Sequence, residues 1–266
     1  MPPAKTLNDP YISIIVPAYK QEKTIIKTLH RLETVLKSLN KPYEIICVVD
    51  GFLDKTFEKT KSISTNNIKV IGYPNNSGKG FAVRYGMAHS TGRIIGFVDS
   101  GELDYGMIPM MLEHFNWYKA DAIIASKRHP VSQVTYPWQR KILSWGYQIG
   151  VKLLFGLNVR DTQVGMKLYR KELIKAVLPR LLVKKFAFDI EILAVAHCLG
   201  FTKIYEAPVK LSMKFLHTSS IFNTGFIKTA FNMAWDSAAV FYRLKILHYY
   251  DDSNRKNWLP DTYLDG

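Results

Sequence analysis

The sequence predicts an α/β protein with a mostly parallel β-sheet that is covered by helices on both faces. Short β-branched and apolar runs alternate with longer segments in which apolar residues recur at helical spacing. This alternation is typical of parallel sheets, whose strands are joined by crossover helices. The runs end abruptly at proline or aspartate. Polar residues are therefore expected at the carboxyl edge of the sheet, where open α/β sheets bind ligands.

The elements of the first half follow one another without a linker or an internal repeat. Strands are predicted over 11–16, 43–49, 68–73, 93–98 and 120–126, and helices over 21–39, 56–63, 78–89 and 109–118. The ends of the first four strands bring Pro17, Asp50, Pro74 and Asp99 to one edge of the sheet.

The second half is less regular. We expect helices over 138–155 and 186–199, an extended segment over 161–169 and a short strand over 202–205. The segment 221–247 is a long amphipathic helix, and Asp236 interrupts its apolar residues, which argues against a membrane span. Such a helix either packs on its own domain or lies on a bilayer surface.

A chain of 266 residues, 47% of them hydrophobic, is long enough for one large domain with a substantial core. The expected divisions are an N-terminal extension at 1–10, a domain over 11–215 with halves at 11–126 and 127–215, an amphipathic helix over 216–250 and a polar, mobile tail over 251–266. The first ten residues contain no apolar core of the kind that a secretory signal needs.

The charge of the chain is strongly positive and unevenly distributed. The formal net charge is +14, which favours acidic partners such as nucleotide phosphates or anionic lipid. The segment 127–185 contains 13 basic residues and two acidic ones, so it carries most of this excess. A nucleic-acid partner is disfavoured, because no aromatic-rich basic motif or recognition-helix pattern is present.

The two cysteines, Cys47 and Cys198, lie in an apolar run and in a helical pattern. They are expected to be buried, reduced thiols, and their spacing does not suit a zinc site.

The stretch 93–104 ends a short apolar run in a group of carboxylates, namely Asp99, Glu102 and Asp104. Carboxylates at the edge of a sheet in a basic protein need a cationic partner, and a divalent metal that carries a nucleotide diphosphate is the obvious candidate. The plain alternative is a strand end followed by a solvated acidic turn.

Three stretches of the first half, read together, resemble family 2 glycosyltransferases. They are VPAYKQE at 16–22, EIICVVDGFLDKT at 44–56 and NSGKGFAVR at 76–84. The strand that ends at Asp99 is similar to the strand that delivers the DxD metal motif in this family.

Later stretches are similar to the polyprenyl-phosphate branch of the same family, of the dolichol-phosphate mannose synthase and dolichyl-phosphate glucosyltransferase type. These stretches are SKR at 126–128 followed by Arg140 and Ser144, then DTQVGMK at 161–167 and FAFDIE at 186–191. Arg140 and Ser144 are four residues apart in a predicted helix and so share one face. The resemblance covers about 11–208.

The resemblance implies a GT-A fold, a Rossmann-like α/β architecture, and a role for each matching residue. The residues implied to bind the nucleotide sugar are Pro17, Tyr19, Glu22, Asp50, Lys79, Asp99 and Gln163. Those implied to act in catalysis are Asp99, Asp161, Arg128 and Arg140, and the phosphate clamp for the acceptor consists of Arg128, Arg140 and Ser144. Mg²⁺ or Mn²⁺ is the implied cofactor. Lys167 is expected to offset the charge of Asp161.

Some of these residues also have plainer interpretations. Gly78-Lys79-Gly80 can hold an anion at a helix start or can simply begin the helix. Asp189 and Glu191 can orient the sugar or can favour the positive end of their own helix.

Two positions depart from the family pattern. Val49 replaces the first aspartate of the DDG motif, and Gly101 replaces the second aspartate of the DxD motif. Glu102 or Asp104 is therefore expected to complete the metal site beside Asp99.

The leading functional hypothesis is an inverting transferase that moves a hexose from a nucleotide sugar to a polyprenyl phosphate. The resemblance of DTQVGMK to the motif of the dolichyl-phosphate glucosyltransferase branch implies UDP-glucose or another UDP-hexose as donor, in preference to GDP-mannose. The enzyme is expected to bind peripherally at the cytosolic membrane surface, and the sequence is compatible with a membrane-spanning partner subunit. The alternatives are a family 2 transferase with a soluble or glycan acceptor and a non-catalytic accessory protein with a decayed metal site.

Overall fold

The computed structural model describes residues 10–101, 104–132, 138–185, 187–210 and 224–258, without the side chains of 138–144 and 224–231. The strands of this part of the chain are β1 (Ile12–Ala18), β2 (Tyr43–Asp50), β3 (Ile68–Tyr73), β4 (Ile94–Val98), β5 (Ala122–Ser126), β6 (Met166–Arg170) and β7 (Ile204–Pro208). Its α-helices are α1 (Ile25–Lys37), α2 (Thr56–Lys61), α3 (Lys79–Ala88), α4 (Ile108–Trp117), α5 (Trp138–Phe155), α6 (Lys171–Val177), α7 (Phe188–Cys198) and α8 (Thr224–Lys245).

The described strands form one sheet in the order β3-β2-β1-β4-β6-β5-β7. Most neighbours pair in parallel, but β6 runs antiparallel to both β4 and β5. The register pairs Phe97 with Lys167 and Val98 with Met166. The start of β6 therefore lies at the same edge as the end of β4. This mixed but mostly parallel sheet, with helices on both faces, confirms the predicted α/β class.

Alternate residues of the central strands point to opposite faces, as the two-residue period of a strand requires. Ile14 packs in the cluster that contains Leu29 of α1 and Met111 of α4. Ile15 packs in the opposite cluster with Ala82 of α3. Both isoleucines are fully buried, which explains why β1 reads as a continuous apolar run.

A buried carboxylate ties the amino ends of the strands together. Glu44 of β2 accepts hydrogen bonds from Ser13 Oγ of β1 (2.5 Å), Thr91 N (2.7 Å) and Lys69 Nζ of β3 (2.6 Å). Burial would raise the pKa of Glu44, but the hydrogen bonds from Lys69, Ser13 and Thr91 outweigh burial and hold the pKa below its ordinary value.

We expect Glu44→Gln to lower the free energy of unfolding at neutral pH by about 1–3 kcal/mol, since the charge-assisted bonds are lost. A carboxyl group with a depressed pKa stabilises the fold fully above its unfolded-state pKa, and this contribution is lost as pH falls through the folded-state pKa. The gap between wild type and variant should therefore narrow below about pH 4.5. Urea unfolding from pH 3 to 8 measures this difference in the free energy of unfolding. A difference that widens in acid would contradict this interpretation.

The C-terminal part of the described chain is packed on the domain. Arg180 Nε donates to Tyr250 O (2.8 Å), and Arg180 Nη2 donates to Asp252 Oδ1 (2.6 Å). The indole of Trp258 lies 4.0 Å from the Arg180 guanidinium. The expectation of a mobile tail is therefore wrong for residues 251–258, whose 3-10 helix at 252–257 is held by a buried arginine.

The long helix α8 buries Ser237, Val240 and Leu244 and exposes Trp235 and Tyr242. Part of it thus packs on the domain, while its contact with a bilayer remains a prediction. In the described part of the chain no helix combines the length and the apolar character that crossing a membrane requires.

The cysteines are free, as expected, but only one of them is buried. Cys47 is fully buried in β2, and burial raises the pKa of its thiol to about 12. Cys198 is exposed because it is the last residue of α7. The expectation of burial was wrong for Cys198, whose helical pattern does not show which face it occupies.

Candidate active site

Four charged side chains from four elements meet at the carboxyl edge of β4, and we call them the Asp99 cluster: Lys79, Asp99, Lys167 and Asp189. Lys79 Nζ lies 2.8 Å from Asp99 Oδ1 and 3.7 Å from Asp189 Oδ2. Lys167 Nζ forms a short ion pair with Asp189 and donates to Val164 O (2.7 Å). The antiparallel start of β6 and the first turn of α7 thus bring two further charges to Asp99.

Burial increases from Asp99 inward through the cluster. The side chains of Asp99 and Lys79 are 39% and 18% exposed, whereas Lys167 and Asp189 are buried. Burial would lower the pKa of Lys79, but the carboxylates of Asp189 and Asp99 outweigh burial and hold the pKa above its ordinary value. Burial lowers the pKa of Lys167 despite the opposing effect of Asp189. The ammonium of Lys79 is therefore firmly charged next to the accessible carboxylate.

Asp99 lies flat against Gly165, the glycine of the DTQVGMK stretch. Asp99 N donates to Gly165 O (2.7 Å). A Cβ atom on residue 165 would lie only 1.8 Å from Asp99 Oδ2 and 2.0 Å from its Cγ. The Asp99 carboxylate can therefore occupy this position only because residue 165 is glycine and has no Cβ. Sequence reasoning assigned no role to this glycine, and only its place within the motif pointed to it.

Asp50, the last residue of β2, anchors the loop that leads into α3. Its carboxylate is buried and accepts hydrogen bonds from Asn76 Nδ2 (2.9 Å), Ser77 N (2.7 Å) and Gly78 N (3.0 Å). Gly78 has φ of +98°, and a Cβ there would lie 2.6 Å from Lys184 O, so the turn requires glycine. In this structure Asp50 thus fixes the loop that presents Lys79, while its contact with a nucleotide stays a prediction.

Asp161 joins its loop to the end of β5. Its carboxylate accepts hydrogen bonds from Lys127 N (3.1 Å) and Gln163 N (2.9 Å). Arg128 follows directly and donates its backbone N–H to Ser126 Oγ (3.2 Å). The Asp161 carboxylate thus joins the backbone of residue 127 to that of Gln163, while the implied roles of Asp161, Gln163 and Arg128 toward ligands stay predictions. Lys167 does not offset the charge of Asp161, because it pairs with Asp189 instead.

Three residues expected to bind the nucleotide, Pro17, Tyr19 and Glu22, lie at the end of β1 or just after it. Tyr19 is 46% exposed, and Pro17 belongs to the strand itself. Glu22 Oε2 accepts a hydrogen bond from Lys55 N (3.2 Å), and Glu22 O accepts one from Lys59 Nζ (2.9 Å). Glu22 therefore ties the segment after β1 to the start of α2.

Comparison with known proteins identifies the family. Residues 13–178 match the profile described as glycosyl transferase family 2. The chain belongs to this family. It is 30% identical to a dolichyl-phosphate beta-glucosyltransferase of Trichomonas vaginalis, over 92% of this chain and 78% of that protein. It is 29% identical to the human dolichyl-phosphate beta-glucosyltransferase, over 76% of this chain and 66% of that protein.

The fold agrees with this assignment. The crystal structure of glucosyl-3-phosphoglycerate synthase from Mycobacterium tuberculosis with Mn²⁺, UDP-glucose and phosphoglyceric acid superposes with a TM-score of 0.64. The sequences are 14% identical, and the match covers 87% of this chain and 80% of the synthase. The protein is a glycosyltransferase, and its sheet and flanking helices have the predicted GT-A architecture.

Few described side chains of this family 2 glycosyltransferase could hold the expected divalent metal. No cluster of three or more histidine, cysteine or acidic side chains that could hold a metal occurs among the described residues. Asp104 accepts a hydrogen bond from Gly106 N (3.0 Å) at the start of a short 3-10 helix. Glu102 lies outside the described residues. Asp99, by itself or with one further carboxylate, fits the chemistry of Mg²⁺ that arrives with a substrate, because Mg²⁺ is commonly held by one or two carboxylates plus substrate phosphates.

The turn after β4 has an anchor that sequence reasoning missed. Tyr105 OH donates to Asp99 O (3.0 Å) and to Gly101 O (3.3 Å). Burial raises the pKa of this phenol to about 12, so it stays a donor across the physiological range. An aromatic residue seven positions beyond the end of β4 gives no recognisable signal for this contact.

Glu191 has a structural role in the glycosyltransferase. It is fully buried and accepts hydrogen bonds from Leu182 N (3.0 Å), Val183 N (2.8 Å) and Tyr250 OH (2.8 Å). Residue 184 next to this loop accepts a hydrogen bond from Phe81 N of α3 (3.1 Å). Glu191 thus supports the loop that packs on the start of α3.

The residues expected to clamp the acceptor phosphate are described only in part. Arg140 and Ser144 belong to the first turns of α5, but their side chains lie outside the described set. The basic segment 127–185 is not wholly a ligand-facing surface, because Lys167 and Arg180 are buried against their own partners.

Proposed function

We propose that the protein is an inverting hexosyltransferase that moves a hexose from a nucleotide sugar, preferably a UDP-hexose, to a polyprenyl phosphate at the cytosolic membrane face. The proposal rests on the 30% identity to a dolichyl-phosphate beta-glucosyltransferase, which extends over 92% of this chain. The presence of UDP-glucose in a structural neighbour supports the choice of donor.

In this proposal the acceptor needs positioning more than deprotonation. A lipid monophosphate is already anionic near neutral pH, with a second pKa of about 6 as in phosphoserine. Arg128, Arg140 and Ser144 bind the phosphate, and arginine suits this task because its planar fork matches phosphate geometry. One phosphate oxygen attacks the anomeric carbon on the face opposite the departing nucleoside diphosphate. The configuration at that carbon is therefore inverted.

The donor end of the site would use Asp99 together with Glu102 or Asp104 to hold Mg²⁺ or Mn²⁺. When bound, such an ion neutralises the charge that develops on the departing diphosphate. Tyr19, Glu22 and Asp50 would surround the nucleoside. Gln163, whose backbone is fixed by Asp161, would contact the sugar.

Exposed apolar side chains support a membrane-bound acceptor. On α5, Trp145, Ile149 and Leu153 recur every four residues and are exposed, Leu153 to 79%. On α8, Trp235 is 69% exposed. Aromatic and basic residues on one helix surface are typical of helices that lie in the headgroup region. We propose that these faces of α5 and α8 contact the bilayer, alone or with a membrane-spanning partner subunit.

The experiment that tests the function is a donor screen. Purified protein is mixed with vesicles that contain polyprenyl phosphate and with UDP-glucose, another UDP-hexose or GDP-mannose in turn, with Mg²⁺ or Mn²⁺. We expect a lipid-linked hexose phosphate with a UDP-hexose. Transfer to a soluble sugar or glycan with no product on the lipid would favour the alternative acceptor.

We expect Arg140→Ala to lower transfer to polyprenyl phosphate by about 100-fold or more, because one arginine of the clamp is lost. Binding of the nucleotide sugar, measured by calorimetry, should be unchanged. Lys141→Ala is the matched control, since Lys141 lies about 100° around the same helix. Full activity in the Arg140 variant would remove this residue from the proposed clamp.

A further inference from the structure

The accessible carboxylate of the metal motif already has a cationic partner. Lys79 Nζ lies 2.8 Å from Asp99 Oδ1 and keeps Asp189 Oδ2 within 3.7 Å. Lys79 is the first residue of α3, and the loop before it is fixed by the three hydrogen bonds to Asp50. A divalent ion that approaches Asp99 therefore meets a charged ammonium held on the same carboxylate oxygen.

The Asp99 cluster is formally neutral, with two lysines and two aspartates. A divalent ion that enters alone adds two positive charges next to Lys79, and like charges repel strongly in partly buried surroundings. A sugar-linked diphosphate carries one negative charge on each phosphate, so that its complex with the ion adds no net charge. UDP without the sugar carries more negative charge near neutral pH and offsets the ion at least as well. The electrostatics of the cluster thus distinguish a free ion from an ion bound to its nucleotide.

We propose that Lys79 competes with the divalent metal for Asp99 and thereby keeps the site closed to the free ion until a nucleotide diphosphate arrives with it. This inference rests on the proposed function only for the identity of the nucleotide ligand. Asp189, which also pairs with Lys167, remains as a counterion for Lys79 when Asp99 is released. Lys79 then makes metal binding and nucleotide binding mutually dependent.

The competition predicts a measurable coupling between two ligands. If UDP raises the affinity for Mn²⁺ by some factor, Mn²⁺ must raise the affinity for UDP by the same factor. Part of this factor comes from displacement of Lys79. That part of the factor should vanish when residue 79 carries no charge. The wild-type protein should bind Mn²⁺ weakly alone and much more tightly with UDP.

The test is a titration with Mn²⁺, with and without UDP, in which free Mn²⁺ is followed by its electron paramagnetic resonance signal. Lys79→Met should bind Mn²⁺ without UDP at least about tenfold more tightly than wild type, and the gain from UDP should shrink by a similar factor. Adding Asp99→Asn to Lys79→Met should abolish the gain. Lys79→Gln repeats the measurement with a polar side chain in case the Met variant folds poorly.

Lys69→Met is the matched control, because Lys69 pairs with Glu44 (2.6 Å) at the opposite edge of the sheet. Its Mn²⁺ affinity should equal that of wild type. The inference is overturned if neither Lys79 variant binds Mn²⁺ more tightly than wild type without UDP, or if the gain persists in the Asp99→Asn background. Neither result depends on transfer to a lipid, so failure of the proposed function is seen separately in the donor screen.

Discussion

Replacing Gly165 with alanine is expected to abolish hexosyl transfer while leaving the protein folded. The new Cβ would lie 1.8 Å from Asp99 Oδ2, so the carboxylate or the loop must move by more than an ångström. A displacement of this size in a catalytic group commonly costs about 100-fold in rate. We therefore expect a loss of at least about 100-fold in kcat/KM, measured with UDP-glucose and polyprenyl phosphate.

Gly101→Ala is the matched control for this prediction. Gly101 is also a glycine of the strand-end motif, but a Cβ there meets nothing within 4 Å. This variant should keep activity close to that of wild type. Circular dichroism should show native secondary structure in both variants. If Gly165→Ala were as active as Gly101→Ala, the placement of Asp99 against Gly165 would be wrong.

The second large effect is expected on stability, from Asp189→Ala. This change removes the counterion of Lys167, which is fully buried, and leaves Lys79 with Asp99 alone. Breaking a buried ion pair from one side commonly costs about 3–5 kcal/mol, because an uncompensated charge stays behind. We expect a loss of this size in the free energy of unfolding, measured with urea at neutral pH.

The double variant Lys167→Met with Asp189→Leu separates the ion pair from the loss of volume. It removes both buried charges and should recover much of the lost stability, since apolar replacement of a whole buried pair is often neutral. Removing Glu33, which pairs with exposed Lys37, should change stability far less, because solvent screens an exposed pair. A loss below about 1 kcal/mol for Asp189→Ala would contradict the stabilising role assigned to this buried ion pair.

The local elements of the fold could be predicted because their signals lie within short windows. The helix expected over 138–155 has the same bounds as α5, since its apolar periodicity is strong. The direction of β6 could not be predicted. An extended segment at 161–169 does not reveal whether it pairs in parallel, and its place between β4 and β5 depends on contacts about 40–80 residues away along the chain.

The strand end that carries Asp99 could be predicted in position, but the pairing of the charged side chains around it could not. Asp99 was found because an apolar run ends there. Lys79 was expected to bind ligand, which stays a prediction, and its pairing with Asp99 was not foreseen. Lys167 was expected to offset Asp161 but pairs with Asp189. One signal for Lys167 was available, because a lysine between Met166 and Leu168 in a buried strand requires a buried counterion. The partner itself depends on the packing of α7, which no local pattern encodes.

The most direct measurement of the central claim compares two acceptors that differ only in the phosphate. Labelled glucose from UDP-glucose is followed into polyprenyl phosphate or into the corresponding polyprenol, in the same phosphatidylcholine vesicles with Mn²⁺. A clamp built for a preformed phosphate anion predicts labelled product with polyprenyl phosphate and none with polyprenol. Equal transfer to both lipids, or transfer to neither alongside activity on a soluble acceptor, would contradict the account.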